Sequence, residues 1–166
     1  MQFLKRFLRH MAMTPYKSKL CFPDKTMAEI QRVVAECEAK HRGEVRFVVE
    51  AELSTAQLWA NMTSRQRAIE VFSSLQVWNT EENSGILIYL LLADHKVEIV
   101  ADRGINAKVA DDAWRSICSA MEQEYRAGRF ESGAIAGVKA ASELLVAHFP
   151  ARETNANELP DAPVRM

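Results

Sequence analysis

Between residues 85 and 104 an unbroken apolar run, 86–93, gives way to an alternating one. In the second run Val97, Ile99 and Ala101 face one way and Lys96, Glu98 and Asp102 the other. A strand covered on both faces needs the first pattern and a half-exposed neighbour the second, so the stretch predicts a central strand, a two-residue turn at Asp94-His95 and a returning strand. Earlier, Val45, Phe47, Val49, Ala51 and Leu53 alternate with Arg46, Val48, Glu50 and Glu52, which predicts a first strand with one partly polar face. Apolar residues at helical spacing predict helices over 24–41, 64–75, 111–126 and 130–148. The acidic pair Asp111-Asp112 suits an N-cap, and Gly133 and Gly137 offer a close approach between helices.

Strand, helix and strand in succession make a right-handed crossover with parallel strands, to which the hairpin adds an antiparallel one. The expected fold class is therefore α/β, a small mixed sheet with helices on both faces. Residues 1–23 precede it as an amphipathic helix and a linker. Over 2–13, Phe3, Leu4, Phe7, Leu8 and Met11 lie on one side of that helix and Lys5, Arg6, Arg9 and His10 on the other. Such a helix suits peripheral contact with an anionic membrane, although docking of its apolar side on its own domain or on a twin subunit is the commoner outcome. Thr14-Pro15 and Phe22-Pro23 mark the linker. Residues 151–166 are polar, proline-containing and aperiodic, which predicts a disordered tail after a domain spanning 24–150.

Composition narrows the partners. The 166 residues carry near-average apolar and charged fractions and a net charge of −1, so no field draws nucleic acid to the chain and none is expected to bind. Cys21, Cys37 and Cys118 are scattered without metal-like spacing and read as reduced thiols. No run reaches the roughly 18 apolar residues of a membrane span. A soluble, unexported, cytoplasmic protein, at most peripheral to a membrane, is expected. Trp59, Trp78 and Trp114 read as core or interface anchors.

From Thr26 to Pro150 the chain resembles the TPM domain family. The resemblance rests on Asn83-Ser84-Gly85 before the apolar strand, the basic turn Asp94-His95-Lys96, the strand and loop ending at Gly104, and Ala110-Asp111 at a helix start. It rests further on Tyr125-Arg126-Ala127-Gly128-Arg129-Phe130 followed by Gly133 and Gly137. The resemblance implies a three-layer α/β/α sandwich, with acid phosphatase activity in some members and divalent-cation binding in others. Asn83-Ser84-Gly85 stands where the family has Asp-Asn-Gly, and Asp102 where it has the first glycine of a Gly-x-Gly loop.

The chemistry gathers where residue 85 begins one strand and residue 104 ends the other. Glu82, Asn83, Asp102 and Asp111, with Asn106 and Asp112 nearby, form a cluster of oxygen ligands suited to Ca²⁺ or Mg²⁺, and Arg103 suits a phosphate contact. No organic cofactor is expected. A purely structural reading also accounts for each residue, with Asp111 an N-cap, Asp102 and Asn83 turn formers, Glu81 and Glu82 solvated, and Arg103 ion-paired. A rival site lies at the opposite edge of the sheet, where Glu52, Ser54, Thr55, Asp94 and His95 would place a base, His95, and a nucleophile, Ser54. The expected function is an interaction module that engages a protein partner through the acidic loop or the amino-terminal helix, and homo-oligomers fit that role. The alternative is weak, metal-assisted hydrolysis of phosphate monoesters.

Overall fold

The computed structural model describes residues 2–152 and 157–166. Among them the chain runs α1 (Gln2–Ala12), α2 (Pro15–Cys21), α3 (Asp24–Glu38), β1 (Glu44–Glu50), α4 (Thr55–Trp59), α5 (Ser64–Ser74), β2 (Gly85–Leu91), β3 (Lys96–Ala101), α6 (Arg103–Asn106), α7 (Asp111–Arg126), α8 (Phe130–His148) and β4 (Val164–Arg165). The strands form one mixed sheet in the order β3-β2-β1-β4. β1 lies parallel to β2, with Glu44 opposite Gly85 and Glu50 opposite Leu91. β3 returns antiparallel, with Ile86 opposite Ala101 and Leu91 opposite Lys96. The turn between them has four residues, 92–95, rather than two, because the amides of Leu92 and Ala93 donate to the carbonyls of Glu50 and Ala51 and so continue the pairing with the first strand. His95 closes it at φ 53°.

The alternation of strand side chains divides the core in two. On one face Val45, Phe47, Val49, Ile86, Ile88 and Leu90 pack with Ile30 and Val34 of α3, Met121 of α7 and Val138 of α8. On the other, Val48, Leu87, Tyr89, Leu91 and Val100 pack with Leu58 of α4 and Ala68 and Val71 of α5. β2 is buried along its whole length, as its unbroken apolar run requires. Each fully buried leucine or isoleucine there contributes roughly 1.5–3 kcal/mol. The result is the expected α/β/α sandwich. No helix among the described residues is long and apolar enough to cross a membrane.

Three local expectations change. The linker contains a helix, α2, because Thr14-Pro15 is also a helix start: the Thr14 hydroxyl accepts from the Lys17 amide and Pro15 takes the first turn, where no N–H is needed. Asp111 is not an N-cap; Ala110 holds that position and Asp111 and Asp112 occupy the first turn, at the positive end of the helix. Of the three tryptophans only Trp114 is buried, and Trp59 is two-thirds exposed beside Phe3 and Phe7.

The tail departs most from expectation. Residues 153–156, within the stretch expected to be disordered, lie outside the described residues, but 157–166 return along the sheet and end in β4, parallel to β1 with Val164 opposite Val48. What holds them is the partly polar face of β1. The Glu44 carboxylate accepts from the amides of Glu158 and Leu159, at 3.0 and 3.2 Å. The Arg46 guanidinium donates to the carbonyls of Pro160 and Ala162. Glu44 and Arg46 are consequently buried.

Glu38, at the end of α3, is buried beside this strap and accepts from the Val45 amide at 2.7 Å. Burial, reinforced by the Glu44 and Asp161 carboxylates, pushes it up to about 9. Between its ordinary value of 4.5 and that point the folded chain keeps a proton the unfolded chain has released, so stability falls as pH rises through the window. Glu38→Gln is expected to flatten this slope and to gain on the order of 2 kcal/mol over the wild type near the alkaline end, read from urea unfolding across the window.

Candidate functional site

At the amino end of β2 the hairpin's two open ends meet, as the sequence predicts. The amides of Gly104 and Ile105 both donate to the Asn83 carbonyl, at 2.9 and 3.3 Å, and the Asp102 amide donates to the Gly85 carbonyl at 2.9 Å. Asn83 adopts φ 53°, a left-handed conformation asparagine tolerates better than most residues. A side chain at position 104 would lie 2.4 Å from the Glu82 carbonyl oxygen, and one at 85 would lie 2.0 Å from that of Val77, so both glycines are required by close backbone approach.

Most polar groups of this cluster are engaged with one another; the exception is Asp102 Oδ2, which is buried and accepts no hydrogen bond from the described residues. Glu82 pairs with Arg42 and, at 3.2 Å, with Arg152. Arg103 donates through Nε to Asn83 Oδ1 at 2.9 Å, and its amide donates to Asp102 Oδ1 at 2.7 Å, which makes Asp102 the N-cap of α6. The Glu81 amide donates to Glu158 of the returning tail at 2.8 Å. Asp111 is not part of the assembly; it is exposed and lies 3.7 Å from Arg115. Among the described residues no three His, Cys, Asp or Glu side chains are grouped to hold a metal ion.

The carboxyl ends of β1 and β2, the rival site, lie under α1. Asp94 there accepts two bonds from Arg6, 3.0 Å to Nε and 2.7 Å to Nη2, with Arg9 Nη2 at 3.2 Å and His10 Nε2 at 3.1 Å. His10 is buried, and its Nδ1 accepts from the Leu53 amide at 2.9 Å, so one ring ties the helix to both strand ends. Burial pushes the Asp94 carboxyl up, but the hydrogen bonds from His10 and Arg6 outweigh it and hold it well below the usual carboxylate range. Ser54 is spent on a capping box with Gln57 at the start of α4, and His95 is an exposed turn residue. Neither the proposed nucleophile nor the proposed base is engaged with the other. The importance of His10 and Arg6 has no local sequence signal, since Asp94 lies 84 residues beyond His10.

A third feature, a groove of about 430 Å³ between β3 and α7, was not foreseen. Its charged walls pair across it, Glu122 of α7 meeting Lys96 of β3 at 3.4 Å, and Arg126 meets Glu122 along the helix at 3.0 Å. Burial pushes the Cys118 thiol that lines it up to about 12, which leaves it protonated and unreactive at neutral pH.

The sequence matches the TPM domain family over residues 18–144. Among solved structures, the fold is similar to the NMR structure of the BA42 protein from the psychrophilic bacterium Bizionia argentinensis, at 27% identity and a TM-score of 0.76, covering 86% of this chain and 93% of that one. No curated protein matches the chain.

Two substitutions test the geometry of the two sheet edges. Gly104→Ala forces the Glu82–Asn83 backbone apart and is expected to cost about 2–3 kcal/mol in chemical denaturation. Asp94→Asn leaves Arg6 without its counter-charge and is expected to cost about 2–4 kcal/mol at neutral pH. Because the folded-state value of Asp94 is depressed, its contribution is present above the ordinary value of 3.8 and lost as pH falls below it. The variant should therefore show a shallower loss of stability in acid, as measured by circular dichroism against pH.

Proposed function

This chain belongs to the TPM domain family, and we propose that it acts there as a binding module rather than as a hydrolase. The observation that carries the reading is the internal pairing of the loop cluster. A phosphoryl-transfer site presents carboxylates to a metal and a free guanidinium to the phosphate. Here Glu82 is held by Arg42 and Arg152, Asp102 caps α6, and Arg103 is bonded to Asn83. Replacing the family's Asp-Asn-Gly by Asn83-Ser84-Gly85 takes one carboxylate out of the loop. Ser84 supplies no nucleophile, since it is fully buried and its hydroxyl donates to the Arg42 carbonyl at 3.3 Å.

The same contacts favour a recognition role. Glu81, Glu82, Asn83 and Arg103 are fixed in place by the hairpin, the Arg42 segment and the returning tail, which gives a rigid polar loop whose shape does not depend on a ligand. Preorganisation of this kind lowers the entropy lost when a partner binds.

The purified protein is expected to release no phosphate from a generic phosphate monoester with Mg²⁺, Ca²⁺ or Mn²⁺, from acid to neutral pH. Turnover that disappears in Asp102→Ala or Asp111→Ala, with melting unchanged, would establish the hydrolase instead.

A further inference from the structure

The amino-terminal helix docks by an unexpected side. Residues 3, 6, 7 and 10 share one face of α1, and it is this face that meets the domain: Arg6 and His10 bond to Asp94, and Phe3 and Phe7 lie against Trp59. The apolar stripe at positions 4, 8 and 11 is left outside. Leu4, Leu8 and Met11 are 59%, 57% and 62% exposed. Immediately after the connection at residues 13 and 14, α2 exposes Tyr16 and Leu20 as well, at 70% and 64%. Five large apolar side chains in successive short helices therefore have no cover within the domain.

Their surroundings define what would cover them. Residues 1–23 contain five lysines and arginines and no aspartate or glutamate. Lys5 and Arg9 flank the stripe of α1, and Lys17 and Lys19 alternate with the apolar residues of α2; all four are exposed. We infer that α1 and α2 dock this domain on an anionic lipid bilayer, with Leu4, Leu8 and Met11 entering the interface and the basic side chains meeting acidic headgroups. An apolar stripe edged by lysine and arginine is the composition of an interfacial helix, and long basic side chains can extend past buried apolar neighbours to the headgroups. A second copy using the same face would bring like charges together.

The Asp94 clamp fixes the helix with its stripe already outward, so docking requires no unfolding. The inference concerns a different surface from the loop cluster and holds whether or not the domain hydrolyses phosphate esters.

Flotation of the full chain with phosphatidylcholine vesicles, with and without phosphatidylglycerol, tests it. Recovery is expected with the anionic vesicles, not with the neutral ones, and it should fall as salt rises from about 0.1 to about 0.5 M. Leu8→Glu, and separately Lys5→Glu with Lys19→Glu, should each lower the bound fraction about tenfold or more while the melting temperature stays at the wild-type value. Absence of flotation, equal recovery on both vesicles, or undiminished recovery of Leu8→Glu overturns the inference. So does a concentration-dependent dimer abolished by Leu8→Glu, which assigns the face to a second copy, or salt-sensitive binding of polyglutamate without vesicle binding, which assigns the basic rim to an acidic polypeptide. Phosphatase activity in the same preparation would refute the binding-module reading and leave the flotation result unaffected.

Discussion

A charged side chain removed from water must find partners in the protein, and β1 buries three of them on one face: Glu44, Arg46 and Glu50. Much of the architecture follows from how each is satisfied. Glu50 draws in α5 through Arg67, whose Nη2 lies 2.8 Å from its carboxylate, and accepts the hydroxyl of Tyr89 from the neighbouring strand. Glu44 and Arg46 take up the amides and carbonyls of residues 158–162. β1 is thus the receptor for residues 158–162, and the second face of the sheet is closed partly by polar compensation rather than by apolar packing alone.

That division explains what the sequence revealed. Elements built on apolar periodicity were legible: the run before Asp94 marks a strand buried on both faces, and α7 and α8 have the bounds their patterns predict. Elements built on polar pairing were not. The alternation of Glu44, Arg46 and Glu50 with valines and a phenylalanine looks like a strand facing solvent, because local pattern cannot distinguish a solvated charge from one whose partner arrives more than a hundred residues later. The aperiodic tail resembles disorder for the same reason. Its order is supplied by backbone groups, which every sequence has.

The candidate sites show the same contrast. The meeting of Asn83 with Gly104 followed from the hairpin register, and the family resemblance pointed to the same loops. Whether the Glu82 carboxylate there is available is a question about Arg42 and Arg152, which lie far from it in sequence. At the other edge His10 is decisive, yet it looked like one more basic residue on an amphipathic helix. The faces expected of that helix are split: Phe3 and Phe7 of the apolar side dock together with Arg6 and His10 of the basic side, and Leu4, Leu8 and Met11 remain exposed.

The closing strand β4 is only two residues long, but it occupies the outer edge of β1. Without it, Val45, Phe47, Val48 and Val49 would lie along an open strand edge whose unpaired amides and carbonyls invite pairing with another molecule. The last residues of this chain therefore guard against aggregation out of proportion to the apolar area they bury. Loss of the β4 pairing is expected to appear first as edge-to-edge assembly, before any loss of helical content.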